Sequence, residues 1–401
     1  MTPRDEITEV GREPHAEDAA RSRTTDATAA EIASVLSAWN RVVLDEIPGL
    51  ELFDAHTHVG QNDPDGMRQH PDELLSGLAL AQARGAFVFP MHEPDGYRAA
   101  NDMVLEAARE SAGALVPFCR VNPHEEPVPE AERCLRAGAR GIKLHPRAEQ
   151  FTLDHPAVRD LVALAHERSL PVLIHAGRGI PALGVHAIEL ASSFPEARLI
   201  LAHAGICDLS WIWRAAPDHP NLLFDTAWWL AADLISLFSL VPPGQIVFAS
   251  DSPYGTTLMS SSFHLRLALQ AGLSSEQVCS VASRQALRLA AAEPLLPVGP
   301  SVGEREHAPH VLLDRLAQFL SLATVQLFRG GDAEEMLALA RLACDVPPDI
   351  DDAPIFAAAL ELIDLHARLS ASDPADRRPR ALLILAATAA RTPDVPMPPR
   401  R

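Results

Sequence analysis

Eight short apolar runs recur along the middle of the chain and set its strongest constraint. They begin at Glu51 (ELFDAHTH), Ala86 (AFVFPMH), Leu115 (LVPFCRVN), Arg140 (RGIKLH), Pro171 (PVLIHAG), Arg198 (RLILAHAG), Asn221 (NLLFDTA) and Gln245 (QIVFASD), with successive starts 23 to 35 residues apart. Each has the length of a strand buried on both faces, and each connector carries a helical period. Eight β-then-α units in series specify an α/β fold, the parallel (β/α)8 or TIM barrel, more readily than an open sheet. An open sheet calls for a glycine-rich dinucleotide loop after its first strand, and Val59-Gly60-Gln61-Asn62 is not one. The barrel needs roughly 250 residues, and the segment from 50 to 295 supplies them.

The flanks read differently. Residues 1–28 are polar and Thr/Ala-rich and are expected to lack fixed structure. A leading amphipathic helix is expected over 29–47, where Ile32, Val35, Leu36, Trp39 and Val43 recur at helical spacing. It is assigned with the barrel, as one unit over 29–295. A Pro/Gly-rich linker at Pro294–Pro300 ends the barrel pattern. Beyond it, 300–401 reads as a C-terminal all-helical appendage, with helices over 311–329, 332–344, 355–369 and 376–391. Its expected role is packing or assembly into a homo-oligomer.

Charge and cysteines narrow the function. A net charge of −19 disfavours nucleic acid and anionic membrane as partners and leaves a small-molecule substrate. The five cysteines are scattered, with no Cys-x-x-Cys pair, as in a reducing compartment. The first ten residues hold no signal-like apolar run, and Trp228–Val241 and Ala381–Ala390 are too short to span a bilayer. A soluble cytoplasmic protein is expected.

The chemistry lies at the strand ends, where a barrel of this kind places its active site. The first run closes with Asp54, His56 and His58. Residues two apart share a strand face, so the two imidazoles can meet one divalent cation. The fourth run closes with Lys143 and His145, the fifth with His175, the sixth with His203 and the eighth with Asp251. Core histidines would scatter along strands rather than finish them, so the set reads as a metal site. Mixed imidazole and carboxylate donors suit zinc, manganese or iron, and an open coordination site activates water near neutral pH.

Taken in order, DAHTH, GIKLHP, VLIHAG, LAHAG and FASDSP resemble the amidohydrolase superfamily. The resemblance is greatest to the amidohydrolase-related branch that also holds the aminocarboxymuconate-semialdehyde decarboxylase-like enzymes. It covers residues 50 to about 292. It implies a metal-dependent barrel enzyme in which His56, His58, His175 and Asp251 hold a divalent ion, zinc first. His203 matches the sixth-strand histidine that handles a proton or a substrate oxygen. The expected reaction is attack of metal-activated water on a carbonyl of an amide, lactone or related ester, with Asp251 moving the proton. The alternative is non-oxidative decarboxylation of a hydroxylated aromatic or muconate-like acid.

Other residues take supporting roles. Lys143 is the only lysine in a chain whose Lys and Arg total 34. Three readings stand for it: a carboxylated bridge between two metals, as binuclear relatives suggest; an ammonium for a substrate carboxylate; or a structural ion pair. Asp54 either orients a ligand histidine or bonds backbone. His145, Arg147, Arg178, Arg120 and Tyr254 are the candidate substrate contacts, the arginines for a carboxylate. Cys207 has no base spaced for it and reads as structural.

Overall fold

Every one of the eight runs forms a parallel strand, and the third forms two. The strands are β1 (Leu52–Val59), β2 (Ala83–Pro90), β3 (Leu115–Pro117), β4 (Cys119–Arg120), β5 (Ile142–Leu144), β6 (Pro171–Ile174), β7 (Arg198–Leu201), β8 (Leu222–Asp225) and β9 (Ile246–Val247). The computed structural model describes residues 16–64, 66–304 and 310–399, with side chains from Asp26 onward. Regular ladders join β1-β2-β3 and β4 through β9. The third run divides at Phe118, whose N–H donates to the Val88 carbonyl while the Cys119 N–H turns to Gly141. On the far side, Ala55 N donates to Phe248 O, Asp251 N to His56 O and His58 N to Ser252 O. These bonds carry the last strand to the first, and the architecture is the expected (β/α)8 barrel.

Phe53, Ala55, Phe87, Phe89, Phe118, Leu173, Ile200, Leu223 and Val247 make up one buried cluster drawn from strands all round the barrel. Phe53 and Ala55 have one parity and the metal-site candidates His56 and His58 the other, which strict alternation would send outward. The register of β1 against β2 slips between Asp54 and Thr57. An irregularity of this kind turns the strand and re-aims its side chains, so His56 and His58 also face the interior, above the apolar layer.

The ends of the chain depart from expectation. The leading helix runs from Ala16 to Glu46, so it covers the second half of the stretch expected to lack structure. No Pro or Gly interrupts the chain between Pro14 and Pro48, and nothing stops the helix earlier. Residues 1–15 lie outside the described residues. Ile32, Leu36 and Trp39 bury in a cluster that joins the C-terminal helices with Leu258 of a barrel helix. The C-terminal helices are Val311–Phe328, Glu334–Ala343, Ala353–Ser372 and Arg380–Arg391, close to the expected spans. Buried Arg266, on the helix Thr257–Ala271, donates to Thr392 Oγ1 and Val395 O at 3.0 Å and lies over the Trp39 ring. Leading helix, barrel and C-terminal helices therefore share contacts. Val311–Phe328 is long and apolar enough to cross a membrane, which the expectation about apolar stretches overlooked. Its Leu313, Leu316, Ala317, Leu320 and Ala323 pack into the same helical cluster.

Candidate metal centre and active site

Three side chains converge at the mouth of the barrel. His56 Nε2 lies 3.1 Å from His58 Nε2 and 3.1 Å from Asp251 Oδ1, and His58 Nε2 lies 3.2 Å from the same oxygen. Ligands ~2.1 Å from one ion and at right angles to each other stand about 3 Å apart, so the spacing fits a shared divalent cation. His56 Nε2 faces a fourth polar group as well, Lys143 Nζ at 3.1 Å. Lys143 is fully buried, with its ammonium nitrogen 4.7 Å from the centre of the Phe89 ring.

Asp225, at the end of β8, aims this group. Its Oδ2 accepts from His56 Nδ1 at 2.7 Å, and its Oδ1 accepts from the backbone N–H of His203 and Ala227. The bond at Nδ1 leaves His56 Nε2 as the ligating nitrogen, the usual carboxylate–histidine arrangement behind a metal. Asp54 does not share the task. Its oxygens take His56 N, Ser250 N and Thr257 Oγ1, so it staples the first strand to the loop after the last. Asp251 and His203 both hold left-handed backbone, with φ of 61° and 57°. Such conformations cost non-glycine residues of order 1 kcal/mol or more, and here they turn two functional side chains inward at strand ends.

The histidines of β5 to β7 form a second group. The His203 Nδ1–H donates to the Ala227 carbonyl at 2.8 Å, which leaves Nε2 to accept from His175 Nδ1 at 2.9 Å. His175 stacks on His145 with ring centres 3.8 Å apart. Its Nε2 is thereby a lone pair, buried and without a partner. It faces Gly177, where a Cβ would come within 2.5 Å of it. His175 is thus outside the tight group of His56, His58 and Asp251.

The chain matches the amidohydrolase family over residues 53–292, which spans all the barrel strands. The chain belongs to the amidohydrolase family. No curated protein matches it in sequence. Among solved structures, 4-oxalomesaconate hydratase from Rhodopseudomonas palustris is 16% identical, with a TM-score of 0.46, over 60% of this chain and 96% of that one. The 5-carboxyvanillate decarboxylase from Novosphingobium aromaticivorans, complexed with manganese, is 13% identical with a TM-score of 0.47, over 61% and 96%. A zinc-bound amidohydrolase from Burkholderia multivorans is 14% identical with a TM-score of 0.49, over 60% and 99%.

Burial dominates the electrostatics of this amidohydrolase. It drives His58 down to about 3, against the pull of Asp251, and holds His145, His175 and His203 below the ordinary imidazole value. At His56 burial and Lys143 push the same way, but Asp251 and Asp225 outweigh them, and its pKa is raised. Burial would raise Asp251, yet His56 and His58 hold it well below the usual carboxylate range. Lys143 falls to about 7 through burial, partly offset by Asp251. Asp251, Asp225 and Glu149 are the acids whose charges act on it.

The arginines come out otherwise than expected. Arg120 is buried and tied to Glu149, Nη2 to Oε1 at 2.7 Å, so it is not a free arm for a substrate carboxylate. Arg147 and Arg178 are exposed on the loops that follow β5 and β6. Tyr254 is exposed and meets His58 edge-on at 5.8 Å, at the entrance. Cys207 donates to the Gly177 carbonyl and is raised by burial, an unreactive thiol. Asp225 was legible as a strand-end acid, but its role depends on the barrel bringing β8 to within one strand of β1. Glu149 carries no signal in its neighbourhood that marks it as part of the site.

Proposed function

We propose that this amidohydrolase is a metal-dependent hydrolase acting on an amide, lactone or related ester of a small organic molecule. The observation that carries the reading is the convergence of His56, His58 and Asp251 on one point, with His56 held from behind by Asp225. These three would hold one divalent ion, zinc first and manganese or iron next, with His175 as the fourth donor that the family resemblance implies. Such an ion supplies Lewis-acid activation of a carbonyl oxygen and of water.

The protein's own groups do the rest. Asp251, ionised at neutral pH, takes a proton from the attacking water and returns it to the leaving group. His203, with its proton fixed on Nδ1, presents Nε2 as an acceptor, so it shares proton transfer rather than polarising a carbonyl. Lys143 keeps its three readings, a carboxylated second-metal bridge, a substrate contact or a structural ion pair, and its lowered pKa supports the neutral amine that carboxylation requires. All five cysteines are free, which supports a cytoplasmic setting.

The test is turnover of a panel of lactones and amides beside carbon dioxide release from hydroxybenzoates, with metal content measured in parallel. Hydrolysis that is lost with a chelator and restored by zinc or manganese is expected. Carbon dioxide release without hydrolysis would replace this reading with the decarboxylase.

A further inference from the structure

Beside the metal group, on the rim formed after β2, β4 and β5, lies a cavity of about 280 Å³. His92, Glu93, Tyr97, Asn122, Glu125 and Glu149 line it. Among the described residues no lysine or arginine does. Three carboxylates therefore face one hollow, and the innermost is incomplete. Glu149 Oε1 accepts from Tyr97 OH and from Arg120 at Nε and Nη2. Glu149 Oε2 is buried with no partner at all, on a side chain that is 3% exposed. A buried carboxylate oxygen left bare costs the full desolvation of a charged acceptor, and a donor arriving in the cavity would relieve it.

The spacing says what kind of donor. Among the described residues, only His56, His58 and Asp251 bring three potential ligand atoms within 4.8 Å of one another. The cavity carboxylates do not form such a group, and the hollow holds several heavy atoms. A polyatomic cation with several N–H donors matches both facts. Glu93 and Glu125 each keep an oxygen beyond the one bonded to Asn62 or Asn122. The cavity is also wired to the metal group. The Pro90 carbonyl takes Arg120 Nη1 at 3.3 Å, and His58 Nδ1 lies 3.4 Å from the same oxygen.

We propose that this cavity is a subsite for an organic cation, an ammonium or guanidinium head group seated against Glu149, Glu93 and Glu125. That the cation is part of the substrate rests on the hydrolase reading above; that the cavity binds it does not. The substrate class narrows accordingly, from organic acids to amides or esters bearing a positively charged arm, since a carboxylate would be repelled here.

Calorimetry with butylguanidinium and its uncharged counterpart butylurea tests the subsite on the full-length, metal-loaded protein. Binding of the cation at least ~10-fold tighter than the urea is expected, weakening as salt rises. A Glu93→Gln/Glu125→Gln double variant should lose a further ~10-fold with an unchanged melting temperature, since both side chains are on the rim. Equal binding of cation and urea, no saturation up to about 10 mM, or full affinity in the double variant would overturn the proposal. The same titration on His56→Ala separates the two readings. Cation binding retained without any hydrolytic activity in the parent protein would sink the hydrolase and keep the subsite. Hydrolysis with equal kcat/KM for neutral and cationic substrates would keep the hydrolase and sink the subsite's role in it.

Discussion

The two sides of the barrel mouth use the same side chain to opposite effect. On the β1–β8–β9 side, His56 and His58 meet Asp225 and Asp251, and every ring nitrogen that matters is aimed by an acid. On the β5–β6–β7 side, His145, His175 and His203 meet one another and backbone carbonyls or amides, with no carboxylate among the described residues bonded to any of their rings. The consequence is electrostatic. Acids lift His56 above its ordinary value, whereas burial prevails at the other three and holds them below theirs. A cluster of imidazoles becomes a cation site where acids fix lone pairs towards one point, and a relay of neutral rings where they do not.

The largest break in that comparison is on the acid side. His56→Ala should strip the metal from the purified protein, and Asp251→Asn should lower kcat/KM by at least ~10² through loss of proton transfer. His175→Ala, on the other side, should weaken metal retention by about 10-fold to 100-fold without abolishing it. Elemental analysis after dialysis against a graded chelator ranks the three. Metal loss from His175→Ala equal to that from His56→Ala would erase the distinction between the sides.

Next comes Asp225→Asn, which keeps the shape and an acceptor but removes the charge behind His56. Metal affinity should fall about 10-fold to 100-fold, while Asp54→Asn, which touches no imidazole, should leave affinity within a few-fold and act on stability instead. The pair asks whether the aiming acid is Asp225 alone.

Of the fold, the strands and the C-terminal helices were legible because both are apolar patterns with fixed period. The candidate site was legible where polar residues finish a buried run, as at His56, His58, Lys143 and Asp251. The register slip in β1, which brings His56 and His58 inward beside Phe53 and Ala55, was not, because it depends on how β1 pairs with β2. Nor was the pairing of Asp225 with His56, 169 positions apart. Arg120 looked like a substrate arm because an arginine at a strand end does. Glu149, a loop residue beyond β5, neutralises it, and only the closed loop shows that.

A smaller effect follows from pH. His58, His145, His175, His203 and the buried His264 all have folded pKa values below their unfolded ones. The unfolded chain therefore binds more protons as pH falls through about 6.5, and the stability of the metal-free protein falls with it. With a folded value of about 3, His58 alone removes about 2 kcal/mol between pH 7 and pH 5. His56, raised, works in the other direction. Urea midpoints of the metal-free protein should drop over that interval, and in His58→Leu the drop should shrink. A midpoint that rises as the solution is acidified would mean that the acids, not burial, govern the histidines on both sides.

The smallest effect separates positioning from contact on the acid-free side. His145 stacks face to face on His175, and its Nδ1 accepts from Ala148 N at 3.1 Å. His145→Phe keeps a ring in the stack but removes one of the two acceptors of that N–H, which the His145 carbonyl also takes at 3.0 Å, a loss of at most about 1 kcal/mol. If His145 serves only to hold His175, kcat/KM should fall by less than ~10-fold and denaturant stability should carry most of the change. If it touches substrate, as its place at a strand end suggested, KM should rise well beyond what the stability loss explains. The stack favours the first outcome, because the face of the ring is already covered by His175 and its Nδ1 is already used.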